Sequence, residues 1–286
     1  MKAISFTTTS GVDSIEVSEK SSPVAGQGEV LIAVEAATIN PVDLSAVSGA
    51  LAARMPAEAP WTPGWDLAGI VTAVGGGVDA SLVGLRVLGF SQWFQSGNGT
   101  QAAEVVLPFE NVAVASGGLT PEQLTTFGLN GLTALHALDA AAVPDGGTVI
   151  VVGASGGVGG FVAELAKDRG LTVVPVGRST DRAELAATMA DAVVNSGPLD
   201  ASVLDGVRDN GTAVSVTGVY DSVRGIDSRR VGVQPDKAGL ETIVRLAEAG
   251  VLTSRVGATF AVDQARDAYR AFAETKSHDR IVITFA

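Results

Sequence analysis

The chain has 286 residues, 46% of them hydrophobic and 17% charged, a composition with ample core material that excludes a disordered chain. A net charge of −12, from 19 basic and 31 acidic side chains, argues against nucleic acid or an anionic membrane surface as partner. Zero cysteines exclude disulfides and thiolate metal ligands, and two histidines make a poor zinc site, so no metal is expected.

The N-terminal stretch MKAISFTTTSGVDSIEV lacks an apolar core of signal-peptide length, so a cytoplasmic location is expected. From Lys2 to about Phe109 short alternating strands, such as Ala3–Phe6 and Val30–Val34, are separated by turn clusters such as Ser22-Pro23 and Gly26-Gln27-Gly28. This region reads as all-β, a small barrel or sandwich. Asn40-Pro41-Val42-Asp43-Leu44 is a turn into a short helix, since proline suits the first helical position. Pro60 to Asp66 is a second turn, followed by a strand over Leu67–Val74. Trp61, Trp65, Trp93 and Phe94 fall in loops here, where they either line an apolar substrate pocket or anchor the core.

From about Leu119 the period changes. Thr120-Pro121 starts a helix, Gly131–Ala141 continues in helical spacing, and Thr148 to Lys167 reads TVIVVGASGGVGGFVAELAK. The β-branched run Thr148–Val152 suits a strand buried on both faces, and from Val158 the apolar positions take helical spacing. A glycine turn between strand and helix presents backbone N–H groups and the positive end of the helix dipole to an anion. Gly153 serves the tight turn, Gly156 the close approach of a pyrophosphate, and Gly159 the packing of helix on strand. The turn Gly153-Ala154-Ser155-Gly156-Gly157-Val158-Gly159 is thus the candidate dinucleotide site, although its first half is G-A-S-G and not G-x-G.

Beyond it strands and helices alternate: a strand over Leu171–Val176, a helix over Asp181–Met189, a strand over Asp191–Val194, a helical stretch over Leu199–Val207 and a strand over Thr212–Thr217. Alternation of this kind builds a parallel sheet. Near the end come a strand over Arg230–Gln234, helices over Lys237–Ala249 and Asp263–Glu274, with Asp263 as a cap, and a strand over Arg280–Phe285. The second strand of the sheet ends at Gly177-Arg178-Ser179-Thr180, with Arg182 close behind. A basic residue at that place reads a ribose 2′-phosphate, so the cofactor expected is NADPH; Asp181 argues for NADH. Thr217, Gly218 and Val219 end a strand at the carboxyl edge, where such sheets bind ligands.

Taken together, these stretches make the chain resemble the medium-chain dehydrogenase/reductase superfamily in its zinc-free quinone oxidoreductase-like branch. The resemblance rests on Ala37–Asp43 (ATINPVD), Pro63–Val71 (PGWDLAGIV), Gly128–Ala134 (GLNGLTA), the glycine turn and His278–Ile283 (HDRIVI), in that order along the whole chain. It implies a GroES-like β-barrel catalytic domain over residues 1–117, a Rossmann nucleotide-binding domain over 118–250, and a C-terminal return to the catalytic domain over 251–286. It implies a homodimer, and transfer of hydride from NADPH to a quinone or an α,β-unsaturated carbonyl compound. In hydride transfer the protein supplies orientation and a donor to the developing enolate. Asn40 is the candidate donor, or else merely a cap for the helix at Pro41, and Asp43 orients its neighbours. Thr126, Asn130 and Thr133 are placed where the nicotinamide should rest, or else make internal helix contacts. His278 and Arg280 match the tail motif, with Lys276 or Arg280 as a reach toward the cofactor and a solvated turn as the alternative.

The chain departs from the family pattern in one respect. Between Gly177 and Thr217 it is short by one strand–helix unit, so either the third or the fourth strand of the sheet is missing. If it is the third, the second strand becomes an edge, which explains Pro175 within it. Asn195-Ser196 then stands where the resemblance places a tyrosine near the 2′-phosphate. The alternatives are an enoyl-thioester reductase, for which no basic entrance is seen, and a protein that binds the nucleotide without turnover, as a sensor or structural protein.

Overall fold

The structure, a computed structural model, describes residues 1–177, 180, 182–275 and 277–285, with residue 182 described by its backbone alone. In chain order the elements are β1 (Lys2–Ser5), β2 (Glu16–Glu19), β3 (Glu29–Ile39), α1 (Pro41–Val47), β4 (Asp66–Val74), β5 (Arg86–Phe90), β6 (Glu104–Pro108), β7 (Val112–Val114), α2 (Pro121–Leu124) and α3 (Gly128–Ala141). There follow β8 (Thr148–Val152), α4 (Gly157–Asp168), β9 (Thr172–Val176), α5 (Arg182–Ala186), β10 (Ala190–Asn195), β11 (Val207–Ser215), β12 (Asp227–Arg230), α6 (Lys237–Glu248), β13 (Val256–Ala261), α7 (Ala265–Glu274) and β14 (Arg280–Thr284). No described helix is long and apolar enough to cross a membrane.

The chain divides into two compact units. The first comprises Met1–Leu129, Gln234–Ala249 and Ser254–Ala286, and the second Asn130–Val233 with Gly250–Thr253. Helix α6, which the sequence alone assigns to the nucleotide domain, lies in the first unit. There the Lys237 ammonium donates to the Val112 carbonyl at 3.1 Å and sits 3.5 Å from the centre of the Phe109 ring.

In the first unit a seven-stranded sheet runs β13-β14-β3-β4-β5-β7, with β6 also paired to β3, and β1 and β2 form a separate antiparallel pair. Alternation along β3 explains the core: Val30, Ile32 and Val34 point inward against Leu67, Val71 and Leu107. Register shifts at Leu31/Ile32 and Val34/Ala36 bend this strand. The last strand, β14, pairs antiparallel with β3 from Ile281↔Ile39 to Thr284↔Ala36, so the chain's end returns to the unit where it began.

The second unit holds a five-stranded parallel sheet in the order β12-β11-β10-β8-β9. The usual six-stranded order is 3-2-1-4-5-6. Here β8 is the first strand, β9 the second, and β10 pairs with both β8 and β11, which is the fourth place. The missing strand is therefore the third, and β9 is an edge. Pro175 fits that edge because no ladder donor is required of it, and the next free donor, Gly177 N–H, is taken by Thr180 Oγ1 at 2.9 Å. Helix α4 buries Phe161, Val162, Leu165 and Ala166, the face its spacing predicts. It ends where Gly170 takes φ +74° and Leu171 N–H returns to the Ala166 carbonyl at 2.9 Å.

Several expected elements shift. The strand expected at Arg230–Gln234 is β12, Asp227–Arg230, because parallel pairing with β11 fixes its register from Thr212↔Asp227 to Ser215↔Arg230. An exposed edge strand carries no alternation to betray it. Strand β13 has no counterpart among the expected elements, for the same reason. The helix at Asp181–Met189 shortens to Arg182–Ala186, and Leu199–Val207 becomes a 3-10 turn over Ala201–Gly206. Asp263 does not cap a helix: it lies within a 3-10 turn, Val262–Gln264, and its carboxylate receives the Lys2 ammonium at 2.6 Å.

Candidate functional site

The strand–turn–helix that the sequence marks is built as expected. Gly153 ends β8 at φ +79°, in the left-handed region open to glycine. A Cβ on Gly159 would stand 2.2 Å from the Gly153 carbonyl oxygen, so only glycine lets α4 start this close to the strand end. Ala154 and Ser155 form the crest, Gly156 N–H closes the turn onto Gly153 O at 2.8 Å, and Gly160 N–H makes the first helical bond to Gly156 O at 2.9 Å. The N–H groups of Gly157, Val158 and Gly159 belong to the first turn of α4 and have no acceptor within the helix. They lie at the point where the chain leaves β8 for β9 on one side and β10 on the other, the crevice where open parallel sheets take ligands.

Other sequence-marked residues of this unit divide. Thr217 ties the carboxyl edge together: its Oγ1 donates to Gly197 O at 2.9 Å and its N–H to Ser215 Oγ at 3.1 Å. Gly218 packs against Leu199, and Val219 is exposed. Asn130 and Thr133 lie on α3, both buried. Gly177 follows β9 with open space where a Cβ would stand. Arg178 and Ser179, which the sequence reading expects to meet a 2′-phosphate, lie outside the described residues, as do Lys276 and the side chain of Arg182. Asn195-Ser196 is corrected: it lies at the end of β10, on the opposite side of β8 from β9, the strand expected to read the ribose.

In the first unit the stretches that carry the family resemblance meet in a closed polar cluster around Asp66. Its carboxyl is fully buried beside Thr38 Oγ1 (2.7 Å), Leu129 N–H (3.0 Å) and the Asn40 amide (3.3 and 3.4 Å). Burial raises its pKa, opposed by these donors and by the Arg280 guanidinium. Thr38 Oγ1 also lies 2.8 Å from the Thr125 carbonyl, and one hydroxyl proton cannot serve two acceptors fully. Asp43 accepts the N–H groups of Asn40 (2.9 Å) and Gly64 (3.1 Å), yet burial, with Asp66 nearby, pushes its carboxyl up to about 8. The Trp93 indole N–H is directed at it without forming a hydrogen bond of normal geometry. Tyr269 donates to Gln101 at 2.8 Å, and Gln101 in turn to the Thr38 carbonyl at 3.2 Å.

This cluster corrects several expectations. Asn40 is 0% exposed and its amide is committed to Asp66, so it is not presented as a donor to a small molecule; it caps α1, with Asp43 N–H on its carbonyl at 2.9 Å. Asp43 contacts its neighbours through the backbone N–H groups of Asn40 and Gly64. Arg280 is not in a solvated turn but 7% exposed, facing Asp66. Thr126 makes the internal helix contact, donating to Gln123 O at 2.7 Å. Trp93 and Trp65, 0% and 6% exposed, are core anchors packed on Phe6, Phe90 and Phe94 rather than walls of an open pocket. Phe94 is half-buried, with the Arg54 guanidinium 5.4 Å from its ring.

Known proteins share this architecture. The alcohol dehydrogenase GroES-like domain family matches residues 26–128. Quinone oxidoreductase of Rattus norvegicus is 37% identical over 169 residues, 57% of this chain and 48% of that protein. The chain belongs to the quinone oxidoreductase-like branch of the medium-chain dehydrogenase/reductase superfamily. A 2-methylene-furan-3-one reductase of Solanum lycopersicum is 31% identical over 202 residues, 68% of this chain and 52% of the relative. An alcohol dehydrogenase superfamily protein from Novosphingobium aromaticivorans superposes with a TM-score of 0.86 at 25% identity, over 99% of this chain and 100% of that one. In sequence, the chain spans about half the length of the curated relatives it matches.

Membership in this superfamily implies a nicotinamide cofactor, and the glycine turn fits one: a side chain at Gly159 would fill the space that brings the helix N–H groups up to the strand end. Sequence reasoning misses Asp66 as a hub, although Asp66 lies within the family-like stretch Pro63–Val71, because its partners come from positions as distant as Leu129 and Arg280. It puts Ser196, with Asn195, near the 2′-phosphate and not beside the glycine turn, where Ser196 Oγ donates to the Val152 carbonyl.

Proposed function

We propose that this quinone oxidoreductase-like protein is a zinc-independent, NADPH-dependent oxidoreductase acting on a quinone or an α,β-unsaturated carbonyl compound. When bound, NADPH supplies the hydride itself. The chain's own residues bind and orient: the first-turn N–H groups of Gly157, Val158 and Gly159 hold the pyrophosphate, and Arg178 with Arg182 reads the 2′-phosphate. Thr217 and Gly218 border the crevice at the carboxyl edge. The observation that carries the reading is the approach of Gly159 to Gly153, which has no use in a plain loop. The absence of cysteine in the sequence supports zinc independence. The names of the matched relatives, quinone oxidoreductase and 2-methylene-furan-3-one reductase, support the two acceptor classes. A cytoplasmic homodimer belongs to the same proposal, and light scattering of the purified protein checks the dimer.

The test is a parallel titration with NADPH and NADH, read by nicotinamide fluorescence. Tight NADPH and weak NADH binding, followed by NADPH oxidation with simple quinones or enones, is the expected result. Binding of neither cofactor would remove the reductase reading, and equal binding of both would remove Arg178 as the discriminator.

A further inference from the structure

Strand β10 lies directly beside β8, and its last residues meet the glycine turn. The backbone N–H and the Oγ of Ser196 both donate to the Val152 carbonyl, at 3.2 and 3.0 Å. That carbonyl belongs to the peptide unit leading into Gly153, the residue at φ +79°. The same Oγ stands 2.8 Å from where a Cβ would be on Gly153 and 2.8 Å from where one would be on Gly159. One hydroxyl therefore abuts the first and third glycines of the turn and holds the peptide between strand and turn in one orientation.

The segment that carries this hydroxyl is itself fixed. Asn195 Oδ1 accepts Gly197 N–H at 2.8 Å, and Asn195 Nδ2 donates to the Pro198 carbonyl (3.2 Å) and to Tyr220 OH (2.7 Å). Thr217 Oγ1 closes the far side on the Gly197 carbonyl. The ends of β8, β10 and β11 are thus joined by side-chain bonds, and Ser196 is the link that reaches the glycine turn.

We infer that Ser196 is a positioning residue for the cofactor pyrophosphate: it contacts no substrate, and it sets the aim of the turn's N–H groups by fixing the Val152–Gly153 peptide. This rests on the dinucleotide reading above. Without the hydroxyl the peptide keeps only the Ser196 backbone donor and has a void beside both glycines into which it can rotate. Preorganised N–H groups lose affinity for an anion when their aim becomes an ensemble.

The test uses the whole chain, with NADPH and ADP-ribose as probes, since both carry the pyrophosphate and only one carries the nicotinamide. In Ser196→Ala the Kd for both probes rises about tenfold, the scale of one well-placed hydrogen bond, with Tm nearly unchanged. Ser196→Thr keeps the hydroxyl and restores both to within about twofold of the parent chain. The inference is overturned if Ser196→Ala binds both probes like the parent, or if Ser196→Thr binds as weakly as Ser196→Ala. Failure of the parent chain to bind either probe is a different result: it overturns the dinucleotide reading and this inference with it.

Discussion

The two units solve opposite problems with opposite means. In the second, the proposed site is built from backbone: the glycine turn offers N–H groups and the absence of side chains, and its parts lie within seven consecutive residues, Gly153–Gly159. In the first, a cluster of side chains around Asp66 is drawn from β3, β4, the start of α3 and β14, and is sealed from water. A local backbone device tolerates no added atom, whereas a long-range polar cluster tolerates no removed one. That difference can be tested at both ends.

The largest effect belongs to the buried cluster. Asp66→Ala removes, inside a site sealed from water, the carboxyl that Thr38 Oγ1, Leu129 N–H and the Asn40 amide contact. The expected loss is about 3 kcal/mol of unfolding free energy, the scale of buried donors that lose an acceptor, checked by urea denaturation. Asp66→Asn, which imitates the protonated acid, should lose markedly less. An equal loss from both would mean that Asp66 is ionised in the folded protein.

Next comes the turn. Gly159→Ala forces a methyl group to within 2.2 Å of a backbone oxygen, a contact relieved only by moving α4 or Gly153. It should cost about 3 kcal/mol of stability and abolish NADPH binding. Gly232→Ala, outside the candidate site and with open space at its Cβ, is the control and should leave both stability and binding within experimental error.

A third test uses pH. The Asp43 carboxyl is pushed from 3.8 up to about 8 by burial, so between those values the folded chain holds a proton that the unfolded chain has released. Stability from this group is therefore fully present below about pH 4 and declines as pH rises toward 8. Asp43→Asn should flatten that decline, measured as Tm across the range. A slope unchanged by the substitution would assign the pH dependence elsewhere.

The smallest effect tests whether the carboxyl edge of the second unit shares the character of the buried cluster. Tyr220→Phe removes the oxygen that Asn195 Nδ2 donates to at 2.7 Å. A loss of about 1 kcal/mol is expected, since Asn195 retains the Pro198 carbonyl. A loss several times larger would show that the edge behaves as one coupled network.

Part of this organisation is legible in the amino-acid sequence. The glycine turn is, because strand, turn and helix are consecutive and each has its own periodicity. The loss of one sheet unit is legible from length, and Pro175 hints at which strand becomes the edge, but strand order is a pairing between distant segments that spacing cannot decide. For Asn40, Trp65 and Trp93 a reading of the sequence leaves two places open because residue type says nothing of burial: an amide or an indole suits a pocket and a core equally well. Strand β13 escapes such a reading and β12 is displaced in it because edge strands are under little pressure to alternate.

The sequence by itself determined the local devices: the Gly153–Gly159 turn, the amphipathic face of α4, the proline start of α1 and the want of thiolate ligands. Only the tertiary structure decided that the third strand is the missing one, that Asp66 gathers donors from β3 to α3 with Arg280 opposite, and that Ser196 abuts the glycine turn. The physical reason is separation along the chain. Backbone geometry is set by neighbours in sequence, whereas burial and hydrogen-bond partners are set by whichever distant segments the packed core brings together.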